Sequence, residues 1–221
     1  MVRDLLSLIY PSVCINCNLS LISEEKFLCT KCKIDLPFTN DSFLHDNELS
    51  EKFTFNPLIK GAASLLHFQK KGATQKLLHK LKYNGYKEIG RLLGGYFSDS
   101  IADLEVDFIL PVPVHARKMQ KRGFNQSTEI AIGISEKISL DIREDVITRK
   151  AATSSQTKKS KVERWSGLEN VYSEASKSVK NQKVLVIDDV ITTGATVGML
   201  CDRLAEKGVA KIYVGSIARG T

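Results

Sequence analysis

Four of the five cysteines lie within the first 32 residues of the chain. They form two Cys-x2-Cys pairs, Cys14 with Cys17 and Cys29 with Cys32, with eleven residues between the pairs. Each pair can direct two thiolates at one point, and two pairs complete a tetrahedral set of soft ligands that suits Zn²⁺. Because four thiolates leave no open coordination position, we expect a structural zinc ion rather than a catalytic one.

Two alternatives to zinc stay open at this point. The same four thiols would fit a pair of disulfides, although a cytosolic chain rarely keeps them, and they would also fit an iron–sulfur cluster. The linker between the pairs holds too few apolar residues to fold alone, so metal binding would supply the folding free energy of this lobe. Cys201 follows Val197 and Leu200 at helical spacing and is interpreted as a buried core thiol.

A second group of chemically capable residues follows an apolar run near the C-terminus. Val184–Ile187 is typical of a buried strand, and Asp188 and Asp189 come directly after it. Open α/β sheets bind ligands at the carboxyl ends of their strands, where these carboxylates can accept hydrogen bonds from ribose hydroxyls. The turn Thr192–Thr196 offers hydroxyls, backbone N–H groups and a helix N-terminus to a phosphate, and Gly194 permits a close approach. The segment predicts a sugar-phosphate site.

The segment from Val184 to Thr196 resembles the loop of type I phosphoribosyltransferases that binds 5-phosphoribosyl 1-pyrophosphate (PRPP). The resemblance implies that Asp188 and Asp189 contact the ribose 2′- and 3′-hydroxyls, directly or through Mg²⁺. A helix cap that merely follows a strand would explain the turn but not two adjacent acids. The residues that the resemblance assigns to the 5′-phosphate are Thr192, Thr193, Gly194, Ala195 and Thr196.

Two further stretches, Phe108–Arg117 and Lys121–Gln126, are similar to the signature of the ComF/GntX family. Pro111 and Pro113 are expected to end a strand, and the basic loop beyond it to hold pyrophosphate, with Phe124 as its anchor. For each cation the alternative is a flexible exposed loop. The cations are Arg117, Lys118, Lys121 and Arg122, and His115 beside them is interpreted as an ordinary loop histidine rather than a proton carrier.

A basic, polar segment begins near Arg149. The resemblance implies that it corresponds to the flexible hood that phosphoribosyltransferases carry over the active site. It has few large apolar residues, so we expect it to be mobile without ligand. We predict that its cations approach an anionic ligand on closure, and the alternative is exposed, solubilising charge. These cations are Arg149, Lys158, Lys159 and Arg164.

The ComF resemblance covers nearly the whole chain and implies a different biological setting. Members of that family are associated with natural competence, the uptake and processing of transforming single-stranded DNA, alongside a helicase-like partner. The chain would then be a binding module with a basic groove that follows phosphates. The candidate stacking residues are Phe68, Tyr83, Tyr86 and Trp165, although a hydrophobic core would demand the same spacing. The transfer acceptor and the oligomeric state have no signature in the sequence.

The elements that must position these residues follow from the remaining pattern. Helical spacing runs from Ala73 to Leu81 and from Ile89 to Ile101, interrupted at Asn84-Gly85. Strands and helices alternate from Phe108 to Ile217, which predicts a mostly parallel α/β sheet. The resemblance implies that this sheet is the core of a type I phosphoribosyltransferase. The predicted organisation is a four-cysteine zinc knuckle in residues 1–40, a hood or helical segment in 41–106 and the core in 107–221.

Composition and charge are consistent with an ordinary globular protein. The chain has 221 residues, 43% of them hydrophobic and 26% charged, and a formal net charge of +7. Lys and Arg outnumber Asp and Glu two to one between His115 and Arg164, which favours anionic partners such as polyphosphates or nucleic acid over a merely solvated face. No apolar run reaches the length of about 18 residues that a membrane span needs, and residues 1–11 are too short for an export signal. We therefore expect a cytoplasmic protein.

Overall fold

The structure is a computed structural model that describes residues 12–22, 24–149, 172–174 and 178–220. The strands are β1 Ile59–His67, β2 Phe108–Pro111, β3 Asp141–Ile142, β4 Ile147–Arg149, β5 Tyr172–Glu174, β6 Lys183–Ile191 and β7 Lys211–Arg219. In the described chain one sheet has the order β1–β7–β6–β2–β3 with every neighbouring pair parallel, and β4 and β5 form a separate antiparallel pair. This confirms the mostly parallel α/β sheet expected from the sequence.

Helices cover both faces of this sheet. They are α1 Thr30–Ile34, α2 Ala73–Tyr83, α3 Lys87–Phe97, α4 Ala116–Arg122, α5 Gln126–Ile138 and α6 Ala195–Glu206. Alternate residues of β6 explain the two layers, because Leu185 and Ile187 join a core with α2, α3 and α5, whereas Val184 and Val186 join a core with α6. Cys201 is buried in the α6 layer, as predicted. Within the described residues, every helix is too short or too polar to span a bilayer.

Helices α3 and α5 are in close contact because glycines remove the side chains where they meet. A Cβ atom on Gly94 would lie 2.1 Å from the carbonyl oxygen of Ile130, and one on Gly133 would lie 2.0 Å from that of Arg91. An ion pair of 2.9 Å between Arg91 and the buried Glu129 joins the same two helices. The contact fixes α5, whose N-terminus lies at the carboxyl end of β2.

Residues 37–56, called the strap below, cover the outer edge of β1. Backbone hydrogen bonds join residues 37–39 to residues 65–67, and the side-chain amide of Asn47 donates to the carbonyl oxygen of Ala62 at 2.8 Å. The strap therefore closes the side of β1 that β7 leaves open.

A buried ion pair ties the strap to the carboxyl ends of the strands. The guanidinium of Arg219, at the end of β7, lies 3.1 Å from the carboxylate of Asp41 and also contacts Glu48. Asp41 also accepts a hydrogen bond of 3.0 Å from the hydroxyl of Ser64 on β1. Buried charges are tolerated when they are paired and hydrogen-bonded in this way.

The domain boundary placed at residue 106 stays a prediction. The structure does place β1, from the 41–106 segment, beside β7 of the 107–221 segment in the same sheet. Helix α3 of the first segment also packs on α5 of the second. The two segments therefore share one hydrophobic core.

Gly94→Ala is expected to lower the free energy of unfolding by about 2–3 kcal/mol, because the new methyl group must push α3 away from the backbone of α5. Urea denaturation followed by circular dichroism measures this change. Gly95→Ala in the same helix is the matched control, since its methyl group would meet nothing closer than 3.8 Å, and it should be neutral or stabilising by up to about 1 kcal/mol. Equal losses in the two variants would contradict the close contact.

Candidate functional site

The four N-terminal cysteines converge on one point. Their Sγ atoms all lie within 4.8 Å of one another, and those of Cys17 and Cys29 are 3.6 Å apart. None of the four is in a disulfide. Cys14, Cys29 and Cys32 are buried, whereas Cys17 is exposed. This confirms the four-cysteine cluster predicted from the spacing, and the cluster can hold a metal ion.

Local hydrogen bonds shape this cluster and attach it to α2. Desolvation opposes ionisation of the Cys14 thiol, but the backbone N–H groups of Cys17, Cys29 and Asn16 outweigh it and hold the pKa of Cys14 at about 6. The side-chain amide of Asn16 donates to Cys32 Sγ at 3.4 Å, and the ammonium of Lys76 on α2 donates to the Asn16 carbonyl at 2.7 Å. A thiol that ionises readily suits metal ligation.

The acidic pair lies near the carboxyl end of β6. Oδ1 of Asp188 accepts a hydrogen bond of 2.8 Å from the backbone N–H of Asp189 and one of 3.1 Å from the hydroxyl of Ser127, the second residue of α5. Oδ2 of Asp189 lies 2.9 Å from the ammonium of Lys82, in the last turn of α2. The two carboxylates are therefore held by groups from two different helices.

Burial and the neighbouring negative charge change the acidity of Asp188. Desolvation and the negative charge of Asp189 raise the pKa of Asp188 to about 7, although the N–H of Asp189, the hydroxyl of Ser127 and the charge of Lys82 act in the opposite direction. The raised pKa means that the ionised carboxylate is poorly stabilised, so an additional hydrogen-bond donor or cation beside it would be favourable. Perturbed acids of this kind concentrate at functional sites.

The turn after β6 has the form of an anion site. Gly194 takes a left-handed conformation with φ of 78° and precedes the first residue of α6. A small cavity of about 50 Å³ is lined by Asp188 and by the turn residues up to Val197. Backbone N–H groups at the start of a helix are directed toward such a space and favour negative charge.

The strap and β5 support this turn from outside. The ammonium of Lys52 donates to the carbonyl oxygens of Thr192 at 2.6 Å and Gly220 at 3.2 Å. The ring of Phe53 packs against Gly194 so closely that a Cβ atom added there would lie 3.1 Å from the ring carbons. On the other side, the hydroxyl of Tyr172 donates to the carbonyl oxygen of Thr196 at 3.3 Å. These contacts hold the turn in place.

The predicted basic loop after β2 is in fact a short helix, which is a correction to the loop expected from the sequence. The His115 side chain accepts a hydrogen bond from the backbone N–H of Arg117 and caps α4, and Gly123, with φ of 78°, ends it. The cap at His115 and the left-handed Gly123 thus bound a helix of seven residues where a loop was expected. Within the described chain every peptide bond is trans, including those before Pro111 and Pro113.

The motif that follows α4 positions the start of α5. Phe124 is buried, and Asn125 donates to the carbonyl oxygen of Val112 at 3.1 Å while its Oδ1 accepts from the N–H of Ser127 at 3.1 Å. Gln126 accepts a hydrogen bond of 2.6 Å from Arg122. The motif thereby delivers Ser127 to Asp188.

The predicted cations fall into two groups. Lys121 and Arg122 lie over the ring of Tyr83, at 5.9 and 5.3 Å from its centroid. Tyr83 directly follows Lys82 in the sequence. Arg117 and Lys118 are exposed on α4. Arg149, at the end of β4, is half-buried. Burial raises the pKa of Tyr172 to about 12, and the charge of Arg149 acts in the opposite direction.

Several predicted residues cannot be placed, and several contacts of the site were not expected. Lys158, Lys159, Arg164 and Trp165 lie outside the described residues. The sequence reasoning missed three residues that touch the acidic pair or its turn: Lys82, Ser127 and Lys52. Ser127 directly follows the motif that ends at Gln126 and so carried a signal, whereas Lys52 carried none.

Comparison with known proteins bears on this site. The family model described as "Phosphoribosyl transferase domain" matches residues 80–220, which include the acidic pair and the turn. "DNA utilization protein YhgH" of Escherichia coli O157:H7 is 30% identical over 150 residues, which cover 65% of this chain and 66% of YhgH. "Competence protein ComFC" of Bacillus subtilis is 27% identical over 186 residues, 83% of this chain and 68% of ComFC. The chain thus spans about two thirds of the length of these relatives.

Among solved structures, glutamine PRPP amidotransferase from Bacillus subtilis, complexed with ADP and GMP, is similar with a TM-score of 0.47 and 18% sequence identity. The match covers 63% of this chain and 30% of that one.

Asp188→Asn is expected to stabilise the folded protein at high pH. The native pKa of about 7 lies above the ordinary 3.8, so the folded state binds this proton more tightly and loses stability as the pH rises from about 4 to about 7. The amide avoids that loss, and the variant should exceed wild type by on the order of 1–2 kcal/mol at about pH 8 and by less at about pH 5. Urea unfolding at both pH values measures the difference.

The control is Asp99→Asn, which removes an exposed carboxyl group. Its effect should be the same at both pH values. A pH-independent effect of Asp188→Asn as well would contradict the raised pKa.

Proposed function

Because the chain belongs to the phosphoribosyl transferase domain family, we propose that it binds PRPP, or ribose 5-phosphate, at the acidic pair and the turn after β6. Relatives named for competence and DNA utilization confirm the resemblance to ComF proteins that the motifs indicated. The observation that carries the proposal is the joint geometry of Asp188, Asp189 and the turn Thr192–Thr196. The two acids lie near the end of one strand, and the turn with its small cavity follows that strand at the carboxyl edge of a parallel sheet.

In this proposal the acidic pair and the turn hold opposite ends of the sugar. Asp188 and Asp189 accept hydrogen bonds from the ribose 2′- and 3′-hydroxyls, and the backbone N–H groups and hydroxyls of the turn bind the 5′-phosphate. Mg²⁺ bound with PRPP would neutralise charge on the pyrophosphate, since carboxylate and phosphate oxygens are the ligands it prefers. Cations from α4 and β4 would complement the remaining charge. They are Arg117, Lys118, Lys121, Arg122 and Arg149.

The reaction that such an arrangement favours is displacement at C1 of ribose. The bond from C1 to pyrophosphate breaks, pyrophosphate leaves with the electron pair, and a nucleophile of the acceptor forms the new bond to C1. The catalytic contribution is positioning and electrostatic stabilisation, which needs no nucleophilic side chain. Asp188 and Asp189 would be the residues that hold the ribose during this step.

We further propose that the cysteine cluster binds a structural zinc ion. Four thiol groups within reach of one ion, and no other ligand type among them, fit the tetrahedral preference of zinc. The cluster shares a hydrophobic core with Leu77, Leu78 and Leu81 of α2, so the metal would stabilise that helix together with the knuckle.

Purified protein is expected to contain one zinc ion per chain by elemental analysis, and Cys29→Ser should lose it and lower the melting temperature, because a ligand is removed from a closed site. The matched control is Cys201→Ser, which alters a buried thiol outside the cluster and should keep the full zinc content. Iron in place of zinc, or four thiols that fail to react after unfolding in the absence of reductant, would contradict the zinc assignment.

PRPP is expected to bind in calorimetric titrations with Mg²⁺, and Asp189→Asn should weaken that binding roughly tenfold or more, because it removes the charge from an acceptor of a ribose hydroxyl. Asp99→Asn is again the control and should bind as wild type does. Absence of PRPP and ribose 5-phosphate binding to folded, zinc-loaded wild type would overturn the proposal.

A second candidate function is binding of single-stranded DNA, and one observation favours it. Tyr83 and Tyr86 are 55% and 41% exposed, and Lys121, Arg122 and Lys80 lie over their rings. Exposed aromatic rings among cations can stack bases and attract phosphates. Phe68, by contrast, packs against the core. The helicase-like partner implied by the resemblance belongs to this candidate.

The two candidates respond differently to the same variants. Binding of an oligothymidine of about 20 nucleotides should weaken steeply with salt, and Tyr83→Ala should reduce it roughly fivefold or more. Asp189→Asn should leave it unchanged. DNA binding that persists in Tyr83→Ala would remove the argument from this aromatic patch.

A further inference from the structure

Lys82 reaches the acidic pair from a part of the chain that none of the recognised phosphate or pyrophosphate motifs includes. Its ammonium lies 2.9 Å from Asp189 Oδ2, and the two side chains are only 22% and 13% exposed. Partly buried ion pairs of this kind are screened by solvent much less than surface pairs. The contact is therefore a defined feature of the site rather than a surface encounter.

The position of Lys82 is set by a helix packed on both sides. Leu77, Leu78 and Leu81 of α2 are buried in the main core, and Lys76 at its start is hydrogen-bonded to Asn16 of the cysteine knuckle. Because α2 is held in this way, the backbone of Lys82 has a fixed position relative to β6.

Neighbouring cations have other partners. Lys80 lies over the ring of Tyr86, whereas Lys121 and Arg122 lie over the ring of Tyr83. Among these side chains it is Lys82 that the structure pairs with an acidic residue of the site.

The charge of Lys82 matters because of what else must gather there. Two adjacent carboxylates repel each other, and a bound phosphate would add further negative charge within the same small space. A divalent cation is the usual answer to such an excess of charge. Here the chain already supplies one positive charge, and an ammonium with three donors keeps two for other acceptors after binding Asp189.

We propose that Lys82 is the resident counter-cation of the acidic pair, a positioning residue that holds Asp189 through Oδ2 and leaves Oδ1 for a ribose hydroxyl. Ribose 5-phosphate then binds without any divalent cation, and Mg²⁺ is required only by the pyrophosphate of PRPP. The inference rests on the proposed function and specifies how that site is charge-balanced.

The test is calorimetric titration of the full chain with ribose 5-phosphate, in buffer freed of divalent cations by a chelating resin and again with saturating Mg²⁺. The affinity of wild type for ribose 5-phosphate is expected to agree within about threefold between the metal-free buffer and the buffer with Mg²⁺. Lys82→Gln should lose roughly tenfold or more without Mg²⁺ and recover to within about threefold with it, because the metal replaces the missing charge. Lys82→Arg should keep binding without metal.

Lys137→Gln is the matched control. Lys137 is an exposed lysine in the last turn of α5, as Lys82 is in the last turn of α2, and its removal should change neither titration. Thermal melts of each variant verify that it is folded. A purely structural role of Lys82 would lower affinity to the same extent with and without Mg²⁺, and that outcome overturns the inference.

A parallel titration of wild type with PRPP and Mg²⁺ separates this inference from the proposed function. If PRPP binds but ribose 5-phosphate needs Mg²⁺, or Lys82→Gln equals wild type in metal-free buffer, only the role of Lys82 is overturned. If wild type binds neither ligand under any condition, the proposed function fails and the role of Lys82 fails with it.

Discussion

Electrostatic repulsion between two neighbouring carboxylates is the constraint around which this protein is arranged. Asp188 and Asp189 end a buried run of β6, where water is scarce and each negative charge makes the other more costly. The surrounding chain compensates with an N–H, a hydroxyl and an ammonium, brought from β6 itself, α5 and α2. The placement of those two helices is therefore tied to the chemistry of one strand end.

The rest of the fold keeps these donors in position. Glycines let α3 approach α5 closely and so fix the helix that carries Ser127, while the cysteine knuckle holds the start of α2, which carries Lys82. The strap supports the turn after β6 from the opposite side, through Lys52 and Phe53. Segments far apart in sequence thus converge on one edge of the sheet.

Local pattern predicted most of the elements, because a strand such as β6 or a helix such as α6 has its apolar spacing written in consecutive residues. The adjacency of the acidic residues and the turn, and the clustering of the cysteines, were local as well. The contact of Lys82 with Asp189 was not predictable in this way, because it depends on how α2 packs rather than on its own sequence. The strap was not predictable either, because its polar composition indicates little structure and the contacts of Lys52 and Phe53 with the turn depend on tertiary packing. Helix α4 was not predicted, although His115 and Gly123 lie at its two ends, because its four cations were interpreted as a basic loop.

The covering of β1 by the strap has a consequence for how the protein behaves in a crowded solution. An uncovered edge strand offers unpaired N–H and C=O groups to any passing chain and invites intermolecular pairing. Here one margin of the main sheet is closed by backbone hydrogen bonds and the Asn47 amide, and the opposite margin is β3, only two residues long. Sheet-to-sheet growth is thereby discouraged at both margins, so the chain can keep a long, apolar parallel sheet without acquiring a template for aggregation.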